Sequence, residues 1–170
     1  MPEPAVICLH SNALPLAEKV AALCQGKVHG LKGRVNGAQV DFKQTADHLR
    51  HCFRNQHPLI GICSSGILIR SLVTLLSDKH TDPPVLAVAE DASCVIPLLG
   101  GHHGANDLAK KIAKGIGASA AVTTAGDLRF GIALDQPPEG LTLANPEDAA
   151  GFMAELLAGA SVRTEGVHPW

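Results

Sequence analysis

Two adjacent imidazoles, His102 and His103, sit in a turn that reads Gly100-Gly101-His102-His103-Gly104-Ala105-Asn106. Imidazole exchanges a proton near neutral pH, so His102 is the first candidate general acid or base, and His103 a candidate contact to a bound molecule. Asp127, at the end of Thr123-Thr124-Ala125-Gly126-Asp127, is the second acid–base candidate, either orienting an imidazole or acting as base. Gly100, Gly101 and Gly104 lie within five positions, a costly concentration that predicts positive φ or a close backbone approach. Adjacent histidines point apart on regular structure and no second ligand pair is read at metal spacing, so no metal site is expected. GxGxxG, P-loop, HExxH and GxSxG patterns are absent. Each candidate also has a plainer role open to it: His102 satisfying turn backbone groups, Asp127 capping a turn, and Asp78 to Pro84 forming a solvated turn.

The elements that must position these residues alternate between strand and helix. Ala5 to Leu9, Leu59 to Cys63 and Val85 to Ala89 are short apolar runs expected as buried strands. Leu16, Val20 and Leu23 mark a first helix, extended by spacing to Lys27, and glycine-rich Lys27 to Val40 is turn-rich with one or two short strands. Thr45 opens a second helix with Ala46, Leu49, Cys52 and Phe53 on one face. A third, from about Ile67 to Leu76, is apolar on most sides and expected to be buried, with Ser64 or Ser65 as its cap. Cys94 to Ile96 reads as a hairpin or edge partner of the preceding strand, Leu108, Ile112 and Ile116 mark a fourth helix, and Ala120 to Thr123 a further parallel strand. Leu128 to Leu134 alternates like a strand, 135–140 reads as a linker, Asn145-Pro146 as a helix start, and Ser161 to Glu165 as another strand. The fold class is thus α/β: an open, mostly parallel sheet with flanking helices, Rossmann-like and three-layered, plus a C-terminal helix/strand extension. The expected domains are 1–135 and 136–170. Turns Ser64 to Gly66, Gly100 to Asn106 and Thr123 to Asp127 each follow a strand-like run and are expected to line one crevice at the carboxyl edge of the sheet.

Composition sets the outer bounds. At 170 residues and 46% hydrophobic, the chain buries a core of its own. A net charge of −2 and the absence of basic clusters with interleaved aromatics argue against nucleic acid and anionic membrane as partners. The N-terminus Met1-Pro2-Glu3-Pro4 has no leader pattern, which points to the cytoplasm, and five scattered cysteines without a CxxC pair read as reduced thiols.

Four ordered blocks carry a more specific signal: Gly61 to Arg70, Leu76 to Val85, Leu98 to Ala109 and Val122 to Asp127. Together they resemble the N-terminal region of the cobalt-precorrin-5A hydrolases of cobalamin (vitamin B12) biosynthesis, and Asn145 to Gly159 resembles the start of that family's central region. The turn here is one glycine shorter than the family's Gly-His-x-Gly-Gly-Ala-Asn, and Gly126 stands where the family often has Thr. The shortened form resembles the hydrolase-like segment fused ahead of precorrin-3B C17-methyltransferase, and the abrupt end at Trp170 reads as a fragment of such a longer polypeptide.

The resemblance implies opening of a ring A lactone on a cobalt-corrinoid with loss of a two-carbon fragment. The alternative is a non-catalytic corrinoid-binding module for the fused methyltransferase. No cofactor is expected in this chain: cobalt enters with the substrate, and S-adenosylmethionine only if a methyltransferase domain follows. The expected partner is a tetrapyrrole, with a homodimer allowed for. Corrinoid carboxylates would meet the helix N-termini after Ser65 and Gly104, with Ser64, Gly66, Gly100, Gly101, His103, Asn106, Thr123 and Thr124 as further contacts. Arg70, Lys79 and His80 would add charge-assisted bonds, Arg70 being equally suited to an internal salt bridge.

Overall fold

A computed structural model describes residues 2–79, 81–130 and 140–166 of the chain. It divides into two compact units, Met1–Ala121 and Val122–Trp170.

The first unit is built on a seven-stranded sheet ordered β3-β2-β1-β4-β5-β6-β7. Strands β1 (Ala5–Cys8), β4 (Leu59–Ile62) and β5 (Val85–Val88) are buried at every position. Unbroken apolar runs of this kind are what a strand covered on both faces requires. β2 (Lys27–Leu31) and β3 (Val40–Phe42) extend the parallel set on one side. On the other side β6 (Cys94–Leu99) pairs antiparallel with β5, and β7 (Ser119–Ala120) runs parallel to β6. The sheet is therefore parallel from β3 to β5 and reversed in its last two strands.

Helices cover both faces. α1 (Leu14–Cys24) and α4 (Ala105–Ile116) pack on one side, burying Val20, Ala109 and Ile112 against Val6, Ile60 and Leu86. α2 (Thr45–Arg54) and α3 (Ser65–Leu72) pack on the other, burying Leu49, Phe53, Leu68 and Leu72 against Ile7, Leu59 and Val85. Each fully buried Leu or Ile contributes about 1.5–3 kcal/mol on transfer from water. Alanines at 105, 109 and 113 give α4 a low, fully covered face, and Gly117 ends it in the left-handed conformation at φ 79°.

Several sequence expectations are corrected. Lys27 starts β2 instead of ending α1, because Gln25 already closes that helix with φ 56°. α3 is not wholly buried: a 3-10 turn continues it over Val73–Leu75, and Ile69 and Val73 are 47% and 58% exposed, since only one side of an apolar helix meets the sheet. The strand expected over Leu128 to Leu134 is helical where described, as α5 (Ala125–Phe130), and positions 131–134 lie outside the described residues together with the expected linker up to 139. In the second unit α6 (Ala149–Leu157) starts later than Asn145-Pro146 implies, because Asn145 closes a turn by accepting Asp148 N–H at 3.2 Å. Its Phe152 is exposed, and Ser161 to Glu165 forms no strand.

Candidate functional site

The reversal of β6 separates the expected crevice into two places. Ser64 to Gly66 follows β4 at the carboxyl edge of the parallel strands, whereas Gly100 to Asn106 follows β6 and so lies where those strands begin. The single crevice containing both turns is not formed, because a hairpin partner carries its own carboxyl end to the opposite edge.

At the amino edge the turn meets the loop that leads into β5. Gly100 has φ 76°, and a Cβ placed on it would lie 2.6 Å from backbone atoms of Pro83 and Pro84. Both glycine functions expected from the sequence, positive φ and close approach, fall on this one residue. Its carbonyl accepts His103 N–H at 2.9 Å and Ala105 N–H at 3.1 Å, winding Gly101–His103 into a 3-10 turn. Gly104, at φ 82°, then passes the chain into α4, with no side chain capping the helix. Gly101 and His103 are exposed; Gly104 and Asn106 are half-buried.

The loop itself contributes Asp82, which the sequence reading left within a solvated turn. Asp82 is 7% exposed and is one of two buried polar residues in the described core. Burial, and then the neighbouring Asp78, raise its carboxyl above the ordinary carboxylate range, while the nearby His103 draws it part of the way back. An acid with a raised pKa within electrostatic reach of an imidazole marks a candidate proton-handling site. The signal available in the sequence was the Asp82-Pro83-Pro84 run, whose two prolines lock the backbone on which the carboxylate is mounted. Lys79, in the same loop, is exposed; Thr81 braces it by donating from N–H and Oγ1 to Asp78 O, each at 3.0 Å. His80 lies outside the described residues, as does the His102 side chain, although the His102 backbone is part of the 3-10 turn.

At the carboxyl edge Ser64 stands at the cap of α3 without a side-chain capping bond, followed by half-buried Ser65 and Gly66. The neighbouring strand ends place His10 Nε2 3.4 Å from Glu90 Oε2, both about half exposed. Arg70 is exposed in the last turn of α3. Thr123 and Thr124 belong to the second unit, where they are exposed and precede α5; Asp127 is within that helix, its side chain outside the described residues.

No helix among the described residues is long and apolar enough to cross a membrane. Residues 47–127 match the family described as Cobalamin synthesis G N-terminal. The chain is 34% identical over 133 residues to a cobalt-precorrin-5A hydrolase of Salmonella typhimurium, covering 77% of this chain and 38% of that protein. It is 37% identical over 84 residues to a cobalt-precorrin-5A hydrolase of Priestia megaterium, covering 49% of this chain and 22% of that protein. The chain thus spans well under half the length of the curated relatives it matches. In fold it is similar to a crystal structure described as a cobalamin biosynthesis protein G homolog from Sulfolobus solfataricus, with a TM-score of 0.55 at 18% identity, covering 97% of this chain and 51% of the other. Both loops of the amino-edge site, 76–84 and 100–106, fall inside the segment of this chain, residues 47–127, that matches the Cobalamin synthesis G N-terminal family.

Proposed function

We propose that this chain acts on a corrinoid intermediate of cobalamin biosynthesis, as the N-terminal part of a cobalt-precorrin-5A hydrolase-type enzyme that opens the ring A lactone with loss of a two-carbon fragment. The observation that carries this reading is the packing of the 76–84 loop against the glycine turn, which brings Asp82 and His103 to one sheet edge within the family-matched segment. Water must lose a proton as it adds to the lactone carbonyl, and the ring oxygen must gain one as it leaves; the two-carbon aldehyde then departs as the freed hydroxyl gives up its proton and its C–C bond to the macrocycle breaks, the electron pair and a proton going to the ring carbon. An imidazole of the His102–His103 turn serves both steps, and the Asp82 carboxylate stabilises the imidazolium between them. Lys79 and the N-terminus of α4 receive peripheral carboxylates of the substrate. Ser64 to Gly66 and Arg70, on the other edge or the α3 surface, are left out of this site. Thr123, Thr124 and Asp127 belong to the second unit and are kept as a separate set of substrate contacts, with Asp127 as the second acid–base candidate. Cobalt enters with the substrate, and the setting is the cytoplasm.

The test is incubation of the full-length protein with a cobalt-precorrin lactone, following the two-carbon aldehyde and the corrinoid mass. Stoichiometric aldehyde release supports hydrolysis. A corrinoid that is bound but leaves unchanged overturns it in favour of a binding module.

A further inference from the structure

On the opposite flank of the sheet, four strands from the glycine turn, the first unit gathers His29, His48, His51 and His57 close enough to influence one another electrostatically. Two of these imidazoles converge with a thiol. His29 Nδ1 lies 2.7 Å from His48 Nε2, which lies 3.7 Å from Cys52 Sγ, and all three atoms fall within 4.8 Å of one another. His48 and Cys52 are four residues apart on α2 and so share the face turned to the sheet; His29 meets them from the middle of β2. Phe42 stacks flat on the His48 ring at a centroid distance of 4.5 Å and fixes its orientation.

We propose that His29 Nδ1, His48 Nε2 and Cys52 Sγ form a binding site for a divalent transition metal of the zinc class, three protein ligands with the fourth position open. Two imidazole nitrogens and a thiolate select borderline-soft ions over magnesium or calcium, which require oxygen donors. Zinc bond lengths of about 2.0–2.1 Å to nitrogen and 2.3 Å to sulfur put tetrahedral neighbours about 3.3 Å (N···N) and 3.5 Å (N···S) apart. The His48–Cys52 N···S edge, at 3.7 Å, is close to that value as it stands, the N···N edge opens by about 0.6 Å, and the His29–Cys52 edge, known to lie within 4.8 Å, settles near the same N···S value. Binding moves the one shared N–H to the far nitrogen of the ring that donated it, the accepting ring already carrying its proton there, and sends the Cys52 thiol proton to solvent. His48 also lines an open cleft of about 470 Å³ with Lys32, Asp41, Lys43, Gln44 and Asp47, which gives an ion access from solvent.

The test uses the whole chain, reduced and stripped with chelator, titrated with cobalt(II) and then zinc. The expected result is one equivalent of cobalt with a near-ultraviolet thiolate-to-cobalt band, displaced by zinc, and a thermal midpoint that rises with metal concentration. Cys52→Ala abolishes the band, His29→Gln weakens binding at least tenfold, and His51→Gln leaves both unchanged. A folded wild-type protein with no thiolate band overturns the proposal, as does a band that persists in Cys52→Ala. Should Cys52→Ala fail to fold, the wild-type band and the His29→Gln affinity decide it, and equal affinity in His29→Gln overturns it.

Discussion

Replacing Gly100 by alanine tests the packing that assembles the amino-edge site, and Gly104→Ala supplies its control. Both residues have φ in the left-handed region, 76° and 82°, so both substitutions carry the same conformational cost of about 1–2 kcal/mol. They differ in surroundings. A Cβ on Gly104 meets nothing within 4 Å, whereas on Gly100 it lies 2.6 Å from Pro83 C and O and from Pro84 N. Those atoms are about 1 Å inside ordinary contact distance. They are also poor at yielding: proline fixes φ at both positions, and Pro84 O accepts Leu59 N–H at 2.8 Å at the start of the β4–β5 ladder. Overpacking of this sort adds about 1–3 kcal/mol. Gly100→Ala therefore destabilises by about 2–5 kcal/mol and Gly104→Ala by about 1–2 kcal/mol. Urea unfolding followed by far-ultraviolet circular dichroism reads the difference between the two midpoints at constant m. Equal shifts for the two variants would refute the close approach.

Three further outcomes follow from particular residues. Because the Asp82 carboxyl is raised in the folded protein, its protonated form is the one folding favours, so wild-type stability declines as pH rises above the unfolded value near 3.8; urea midpoints of Asp82→Asn should gain on wild type between pH 4 and 7, and a constant gap would contradict this. Ile60, fully buried at the centre of β4, should cost about 2–5 kcal/mol as Ile60→Ala in the same unfolding assay, and a cost under about 1 kcal/mol would mean the site collapses freely. Calorimetry should find that a corrinoid acid binds more weakly as salt rises and more weakly again after amidation, with equal affinity for acid and amide excluding carboxylate recognition.

The buried strands were legible because Ala5 to Cys8, Leu59 to Ile62 and Val85 to Val88 are apolar without interruption, which only a doubly covered strand tolerates. The pairing of β6 with β5 was legible too, as a short connection after a strand. Its consequence was not, since the edge reached by Gly100 depends on strand direction, a property of the whole sheet. Asp82 was hidden because Asp-Pro-Pro composition describes a turn equally well whether the acidic residue faces solvent or, as here, is buried. α3 misled in the other direction: local hydrophobicity counts apolar residues, while burial depends on how many sides have a neighbour. His48 and Cys52 stand at helical spacing, a ligand pair that the reading of Cys52 as a buried face residue passed over, and their third partner, His29, comes from a different element and has no local sign.

The central claim is that an imidazole of the His102–His103 turn moves the proton in lactone opening. The direct measurement is single-turnover release of the two-carbon aldehyde by full-length His102→Asn and His103→Asn proteins, with corrinoid affinity measured in parallel. The account predicts that the variant lacking the acting imidazole loses about 10²–10⁴ in rate with affinity nearly unchanged. Wild-type release rates in both variants, or loss of affinity and thermal stability in step with rate, would contradict it.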